Sequence, residues 1–118
     1  MFALPHIPEG GSIIDSVSAQ AYKPSPHLLD YATTKGGIVT FTQGLARMPA
    51  EKGVRVNAVA PGPVWTPLIW ATLPDTQEFG KRAPSRPVGT APAYVFLARK
   101  ASFTSAEIVN ATGGAPLP

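Results

Sequence analysis

The feature that most constrains this chain is a pair of short β-branched runs on either side of one long helical stretch. Gly11-Ser12-Ile13-Ile14-Asp15-Ser16-Val17-Ser18 reads as a short buried strand running into a Ser-rich end. Val54-Arg55-Val56-Asn57-Ala58-Val59-Ala60 is the clearer strand, opened by Gly53 and stopped by Pro61-Gly62-Pro63. Between them Ser25 and Pro26 form a helix-start signal, a hydroxyl N-cap followed by proline at the first helical position. From there to about Met48, Ile38, Phe41, Leu45 and Met48 recur at steps of three and four, and Glu51-Lys52-Gly53 supplies a terminating glycine. Strand, helix and strand in this order fit parallel strands joined by a right-handed crossover.

The remainder extends the pattern. Val64 to Pro87 reads as a long irregular segment carrying Trp65, Trp70 and the prolines 67, 74, 84 and 87. A loop of that length inside a small domain is usually functional or disordered. Thr90 to Lys100 is expected as a short helix, with Thr90 its N-cap and Pro92 in its first turn. Glu107 to Ala111 is expected as a last strand before Gly113-Gly114, with residues 115–118 irregular. The 118 residues make one small domain or part of a larger one. The fold class is α/β. In such sheets ligands sit beyond the carboxyl ends of the strands, here Val17-Ser18, Ala60-Pro61-Gly62 and Ala111-Thr112-Gly113.

Composition removes several function classes. The absence of cysteine excludes a disulfide framework, a thiolate metal site and a cysteine nucleophile, and two histidines leave no His-rich metal site. We therefore expect no metal. The net charge is +3, but the ten basic residues are scattered, and a nucleic-acid footprint needs a cluster or stripe. No apolar run approaches the roughly 18 residues of a membrane span. The opening MFALPHIPEG lacks Lys and Arg and is broken by Pro5 and Pro8, unlike a secretory signal, so the cytoplasm is the expected compartment. Only 14% of residues are charged, so part of the surface is expected to meet another surface. Glycine (11) and proline (14) are abundant, yet short of the roughly 25–30% that marks disordered chains.

The residues with chemistry begin with Tyr31-Ala32-Thr33-Thr34-Lys35. An i, i+4 pair lies on one helix face. A neighbouring ammonium stabilises a phenolate, and a tyrosine so placed can give and take a proton. Ser18, at the preceding strand end, could hold a substrate oxygen near Tyr31. Taken singly, the tyrosine–lysine pair reads as a surface pair and Ser18 as a turn or cap residue. The combination with a following strand that ends in Pro-Gly is much harder to obtain by chance.

With these blocks in place, the sequence resembles the short-chain dehydrogenase/reductase family. The matching stretches are GSIIDSVSAQAY, DYATTKGGIVTFTQGLA, EKGVRVNAVAPGPVWTPL, AYVFLA and the late Gly-Gly, covering most of Gly11 to Gly114. The HLLDYATTK and NAVAPGPVWTPL runs are similar to the glucose/ribitol-dehydrogenase-like branch. The resemblance implies the C-terminal part of a Rossmann-like doubly wound sheet, about three parallel strands with crossover helices. Residues 1–118 would then be a single partial domain, with 64–87 an irregular substrate-loop region. It implies NAD- or NADP-dependent hydride transfer to or from an alcohol, aldehyde, ketone or sugar. By the same resemblance Tyr31 is the acid/base, Lys35 supports it and binds the nicotinamide ribose, and Ser18 orients the substrate oxygen. Pro61 and Gly62 line the nicotinamide, and Val64 and Thr66 meet its carboxamide. The segment from Trp65 to about Arg86 becomes a substrate lid, with Trp65 and Trp70 as candidate pocket walls. A homo-oligomer is also implied.

The departures from the family are specific. The resemblance covers only the C-terminal half of a member. No G-x-x-x-G-x-G or G-x-G-x-x-G occurs, so the dinucleotide-binding half, with the turn that cradles pyrophosphate, is not found in these residues. Pro49 is expected to end or kink the main helix. Ser105-Ala106 stands where the family has Thr-Gly. An alternative reading is therefore a catalytically inactive remnant acting as a subunit-interaction module. Binding of nucleic acid would rest on the pI near 9.5 alone.

Overall fold

The computed structural model describes residues 2–72 and 85–114, except for the side chains of Trp70 and Thr72. Its regular elements are β1 (Ser12–Ser16), α1 (Leu29–Leu45), β2 (Arg55–Pro61), α2 (Pro67–Thr72), α3 (Pro87–Arg99) and β3 (Ile108–Ala111). The three strands form one sheet in the order β1-β2-β3. Both pairings are parallel, with Ser12 opposite Arg55 and Ala58 opposite Ile108. The α/β expectation from the strand–helix–strand order holds.

Backbone parity explains which groups the sheet uses. Gly11 O accepts from Arg55 N at 3.0 Å, and Val17 N donates to Val59 O at 2.8 Å. Alternate residues of a strand turn both backbone groups to the same neighbour. Odd residues of β1 therefore face β2, and Ser12, Ile14 and Ser16 turn their backbone groups to the outer edge. Pro61 closes β2 at its last position, where a residue without an N–H interrupts least.

A parallel sheet needs both faces covered. On one face α1 packs Leu45 and Ala46 over Val56 and Ile13, and Ile38 and Val39 over Val17, Ala58 and Ala60. Fully buried Thr42 donates to Asp15 Oδ2 at 2.7 Å. On the other face α3 packs Leu97, with Ala101 just beyond its end, against Val59, Ile14 and Val109. The Arg55 guanidinium binds the carboxyl end of α3, donating to Leu97 O at 2.7 Å and Ala101 O at 2.9 Å. That satisfies carbonyls a helix end leaves without partners and places a cation at the negative pole.

The structure departs from the sequence reading at the helix limits. Pro26 opens a single 3-10 turn, the Ser25 side chain makes no capping bond, and α1 proper starts at Leu29. Ser25 N instead donates to Gln20 Oε1 at 2.7 Å. α1 ends at Leu45, ahead of Pro49, and Gly53, at φ 65°, closes a separate turn over Ala50–Lys52. Phe41 and Met48 are 51% and 56% exposed, so the expected stripe through them is not the packing face. The inward positions are Ile38, Val39, Thr42, Leu45 and Ala46; at about 100° per residue Phe41 falls well to one side of them. α3 starts three residues before Thr90, with Pro87 in its first turn, and the Thr90 hydroxyl donates back to Pro87 O at 2.9 Å.

The segment expected to be irregular, 64–87, contains α2, and α3 begins at its end. Its two ends meet: Trp65 N donates to Ser85 O at 2.8 Å, and Ser85 N to Pro63 O at 2.9 Å. Residues 73–84 and 115–118 lie outside the described residues, as does the side chain of Trp70 expected as a pocket wall.

The Ser105-Ala106 departure has a backbone consequence. Ala106 sits at φ 66°, the only non-glycine residue with positive φ among the described residues. The left-handed region costs an L-residue with a Cβ about 1–2 kcal/mol. Glycine would remove that cost while adding freedom to the unfolded chain, worth about 0.4–1 kcal/mol in the other direction. Ala106→Gly is therefore expected to stabilise the chain by about 0.5–1 kcal/mol in urea unfolding; an unchanged or lower midpoint would show that the turn is unstrained.

Candidate functional site

The candidate site lies at the carboxyl ends of β1 and β2. Tyr31 is in the first turn of α1 and 41% exposed. Its N–H donates to Asp30 Oδ1 at 2.8 Å, which holds the start of the helix. One turn on, the half-buried Lys35 places Nζ 5.6 Å from the centroid of the Tyr31 ring. The same ammonium donates to Ser16 O at 3.0 Å, one of the carbonyls β1 turns to its outer edge. The i, i+4 spacing thus brings Tyr31 and Lys35 together, against the end of β1.

Ser18 follows β1 by two residues and caps the Ala19–Ala21 turn, its Oγ accepting from Gln20 N at 3.2 Å. Both readings of Ser18 are therefore compatible, since a hydroxyl that accepts a bond still has a proton to donate. Pro61 and Gly62 end β2, and Gly62 N donates to Ala111 O at 3.0 Å. A Cβ on Gly62 would lie 3.0 Å from Thr112 Cα and O, so a side chain there would have to push the two strand ends apart by a few tenths of an ångström. Val64 is half-buried and pairs with Ser85 at the base of the expected lid. Thr66, also half-buried, accepts from Ile69 N through its carbonyl at 3.1 Å. An open groove of about 230 Å³ runs between Gln20, Pro24, Ala32 and Gly36 and takes none of its lining from Ser18, Tyr31 or Lys35.

Two residues of this neighbourhood escaped the sequence reading. Tyr94, on α3, meets Ser16 with its hydroxyl 2.8 Å from Ser16 Oγ. Its only sequence signal was a place in the AYVFLA block, which reads as helix packing. Tyr22 follows the Ser18-capped turn and packs beside Val17 and Ala58. Burial, and then the negative charge of Glu107, push its phenol above the ordinary tyrosine value. Raised in the fold, this group binds its proton more tightly folded than unfolded. Its contribution is complete below the unfolded value near 10 and is lost as pH rises through the folded one. Tyr22→Phe is expected to flatten the loss of stability above about pH 10; a wild-type slope there, read by thermal melts, would remove Tyr22 from the account.

A parallel sheet covered on both faces, with a tyrosine and a lysine one turn apart at its carboxyl edge, is a Rossmann-type α/β arrangement. The family model described as enoyl-(acyl carrier protein) reductase matches residues 1–115, and the chain belongs to the short-chain dehydrogenase/reductase family. The NADPH-dependent aldehyde reductase 1, chloroplastic, of Arabidopsis thaliana is 49% identical over 96% of this chain and 42% of its own length. The glucose and ribitol dehydrogenase of Daucus carota is 47% identical over 96% of the chain and 41% of its own length. The solved structure of a short-chain glucose/ribitol dehydrogenase from Brucella melitensis superposes with a TM-score of 0.87 at 33% identity, covering 98% of this chain and 49% of that one. The chain thus spans about two-fifths of the curated relatives it matches, aligned with their C-terminal portion. Among the described residues no helix is long and apolar enough to cross a membrane.

Proposed function

We propose that this chain carries the catalytic side chains of an NAD(P)-dependent dehydrogenase or reductase acting on an alcohol, aldehyde, ketone or sugar. The observation that carries the reading is the Lys35 ammonium held 5.6 Å from the Tyr31 ring at the carboxyl end of β1. The relatives point the same way, one an NADPH-dependent aldehyde reductase and another a glucose and ribitol dehydrogenase.

The residues present fit the nicotinamide-ribose end of such a cofactor. Tyr31 is open to a ligand, and Lys35 offers ammonium donors beside it. The glycine-rich turn that binds pyrophosphate is not among these 118 residues. When bound, the cofactor supplies or accepts hydride at the carbonyl carbon. Tyr31 gives the substrate oxygen its proton in reduction and takes it back in oxidation. Lys35 stabilises the phenolate left behind and donates to the ribose. Ser18 donates to the same substrate oxygen and fixes its direction. Pro61, Gly62, Val64 and Thr66 position the nicotinamide ring.

The test uses a chimaera in which this chain replaces the matching portion of the Arabidopsis aldehyde reductase. Tyr31→Phe keeps the packing and removes the proton, so turnover of an aldehyde with NADPH is expected to fall about 10²- to 10⁴-fold, the usual contribution of a placed acid. Lys35→Ala is expected to lower turnover and weaken NADPH binding together. Near-parental turnover in the Tyr31→Phe chimaera would overturn the assignment.

We also infer that copies of the chain associate. Leu29, Phe41 and Met48 are exposed on or near α1, and Val88, Val95 and Phe96 on α3. Apolar area of that kind marks interaction surfaces. Sedimentation velocity is expected to show species heavier than the monomer; a monomer at every concentration tested would contradict this.

A further inference from the structure

Ser16 stands where three observations meet. Its carbonyl accepts from Lys35 Nζ at 3.0 Å. Its hydroxyl bonds the Tyr94 hydroxyl at 2.8 Å. Its backbone belongs to the outer edge of β1, where no strand of the described sheet pairs with it. A ligand-facing side chain is only as well placed as the group that anchors it. On its inner side the next residue, Val17, is tied to β2. The Tyr94 hydroxyl ties the Ser16 side chain to the α3 layer.

Tyr94 reaches this point from the opposite layer. α3 covers the face of the sheet away from α1, and Ser12, Ile14 and Ser16 all turn their side chains toward it: Ser12 Oγ donates to Leu97 O at 3.3 Å, and Ile14 packs with Leu97 and Tyr94. Ser16 thus joins α3 through its side chain and α1 through its carbonyl. The path from Tyr94 to Tyr31 runs through one hydrogen bond to Ser16, one from Lys35 and the contact of the ammonium with the ring.

We propose that Tyr94 is a positioning residue for Lys35, holding the Ser16 carbonyl in the place from which the ammonium faces Tyr31. The proposal rests on the catalytic reading of Lys35 for its purpose, but not for its test. Among the described residues the Tyr94 hydroxyl bonds Ser16 and not Tyr31 or Lys35; it acts through the residue it anchors. Removing its hydroxyl leaves the ring in the Leu97 cluster and frees the end of β1. The ammonium then exchanges the Ser16 carbonyl for water more often.

Competitive reductive methylation of the 118-residue chain, quantified lysine by lysine by mass spectrometry, reads this directly. Lys23 and Lys52, both exposed, serve as internal standards in the same sample. Tyr94→Phe is expected to raise the methylation rate of Lys35 relative to them by about three- to tenfold, the factor that loss of one hydrogen bond's net contribution gives. Ser16→Ala, which keeps the carbonyl and removes the hydroxyl, is expected to do the same, and the double variant no more than either alone, because both cut one path. A structural loosening of α3 would instead raise the rates of the standards and of Lys100 as well. The proposal is overturned if Lys35 reacts at the wild-type rate in Ser16→Ala, or if the two single effects add. Turnover does not enter this measurement. Inactivity of the Tyr31 chimaera with the methylation pattern intact would therefore sink the catalytic reading and leave the positioning contact standing.

Discussion

Burial of β2 on both faces is the constraint on which the rest of the structure depends. Val56, Ala58, Val59 and Ala60 are fully buried, and each of the three apolar clusters takes at least one of its members from this strand. A strand in that position has no polar side on which to end a sheet, so helices must cover it above and below. Alternation then divides the work. Val56, Ala58 and Ala60 face α1, while Arg55 and Val59 face α3. Asn57 is the polar exception, fully buried and satisfied at both ends: its Nδ2 donates to Thr104 O at 2.8 Å and its Oδ1 accepts from Glu107 N at 3.0 Å. Both bonds go to the turn that delivers β3, so one buried side chain specifies where the third strand begins.

The order of the three strands and of the two longer helices was readable because it rests on signals that survive without tertiary context, whereas α2 was not. β-branched runs bounded by glycine and proline gave three strands whose observed limits differ from the expected ones by a residue or two. The packing face of α1 was not readable in the same way, and the reason is instructive. Tyr31, Lys35, Ile38, Thr42 and Leu45 lie at steps of four, three, four and three, a single stripe on the helix. Only its lower part is apolar enough to be noticed, and the apolar Phe41 and Met48 beside it suggested a different line. The polar upper part of the stripe is the candidate site. There the helix overhangs the strand ends and the same face that buries Leu45 presents Tyr31 and Lys35 to solvent.

Tyr94 was invisible for another reason. Nothing in a sequence pairs residues 78 positions apart across a sheet unless the sheet's alternation is known. Once β1 is in register with β2, parity settles that Ser16 turns its side chain to the α3 layer and its carbonyl to the edge. Ser18 was legible both as a residue at a strand end and as a turn or cap residue, and the structure gives it a capping bond from Gln20 N.

The strained turn at Ala106 connects to the site through register rather than proximity. Ala106 N donates to Val56 O at 2.8 Å, and Val56 N to Ser105 Oγ at 3.2 Å, so the turn is pinned to the start of β2 at the strained residue and the one before it. Glu107 then enters the ladder, its carbonyl accepting from Ala58 N at 2.9 Å. Four residues on, Ala111 O accepts from Gly62 N, and Thr112 lies under the place where a Gly62 Cβ would sit. Each step is a fixed repeat of a parallel ladder, so a one-residue slip at the turn would carry to the floor beneath Gly62 and turn the β3 side chains to the wrong faces. The buried Asn57 amide and the paired backbone groups hold that register against the cost of an alanine in a left-handed conformation. A local penalty of about 1–2 kcal/mol is tolerated because several hydrogen bonds on a buried strand would have to break together to relieve it.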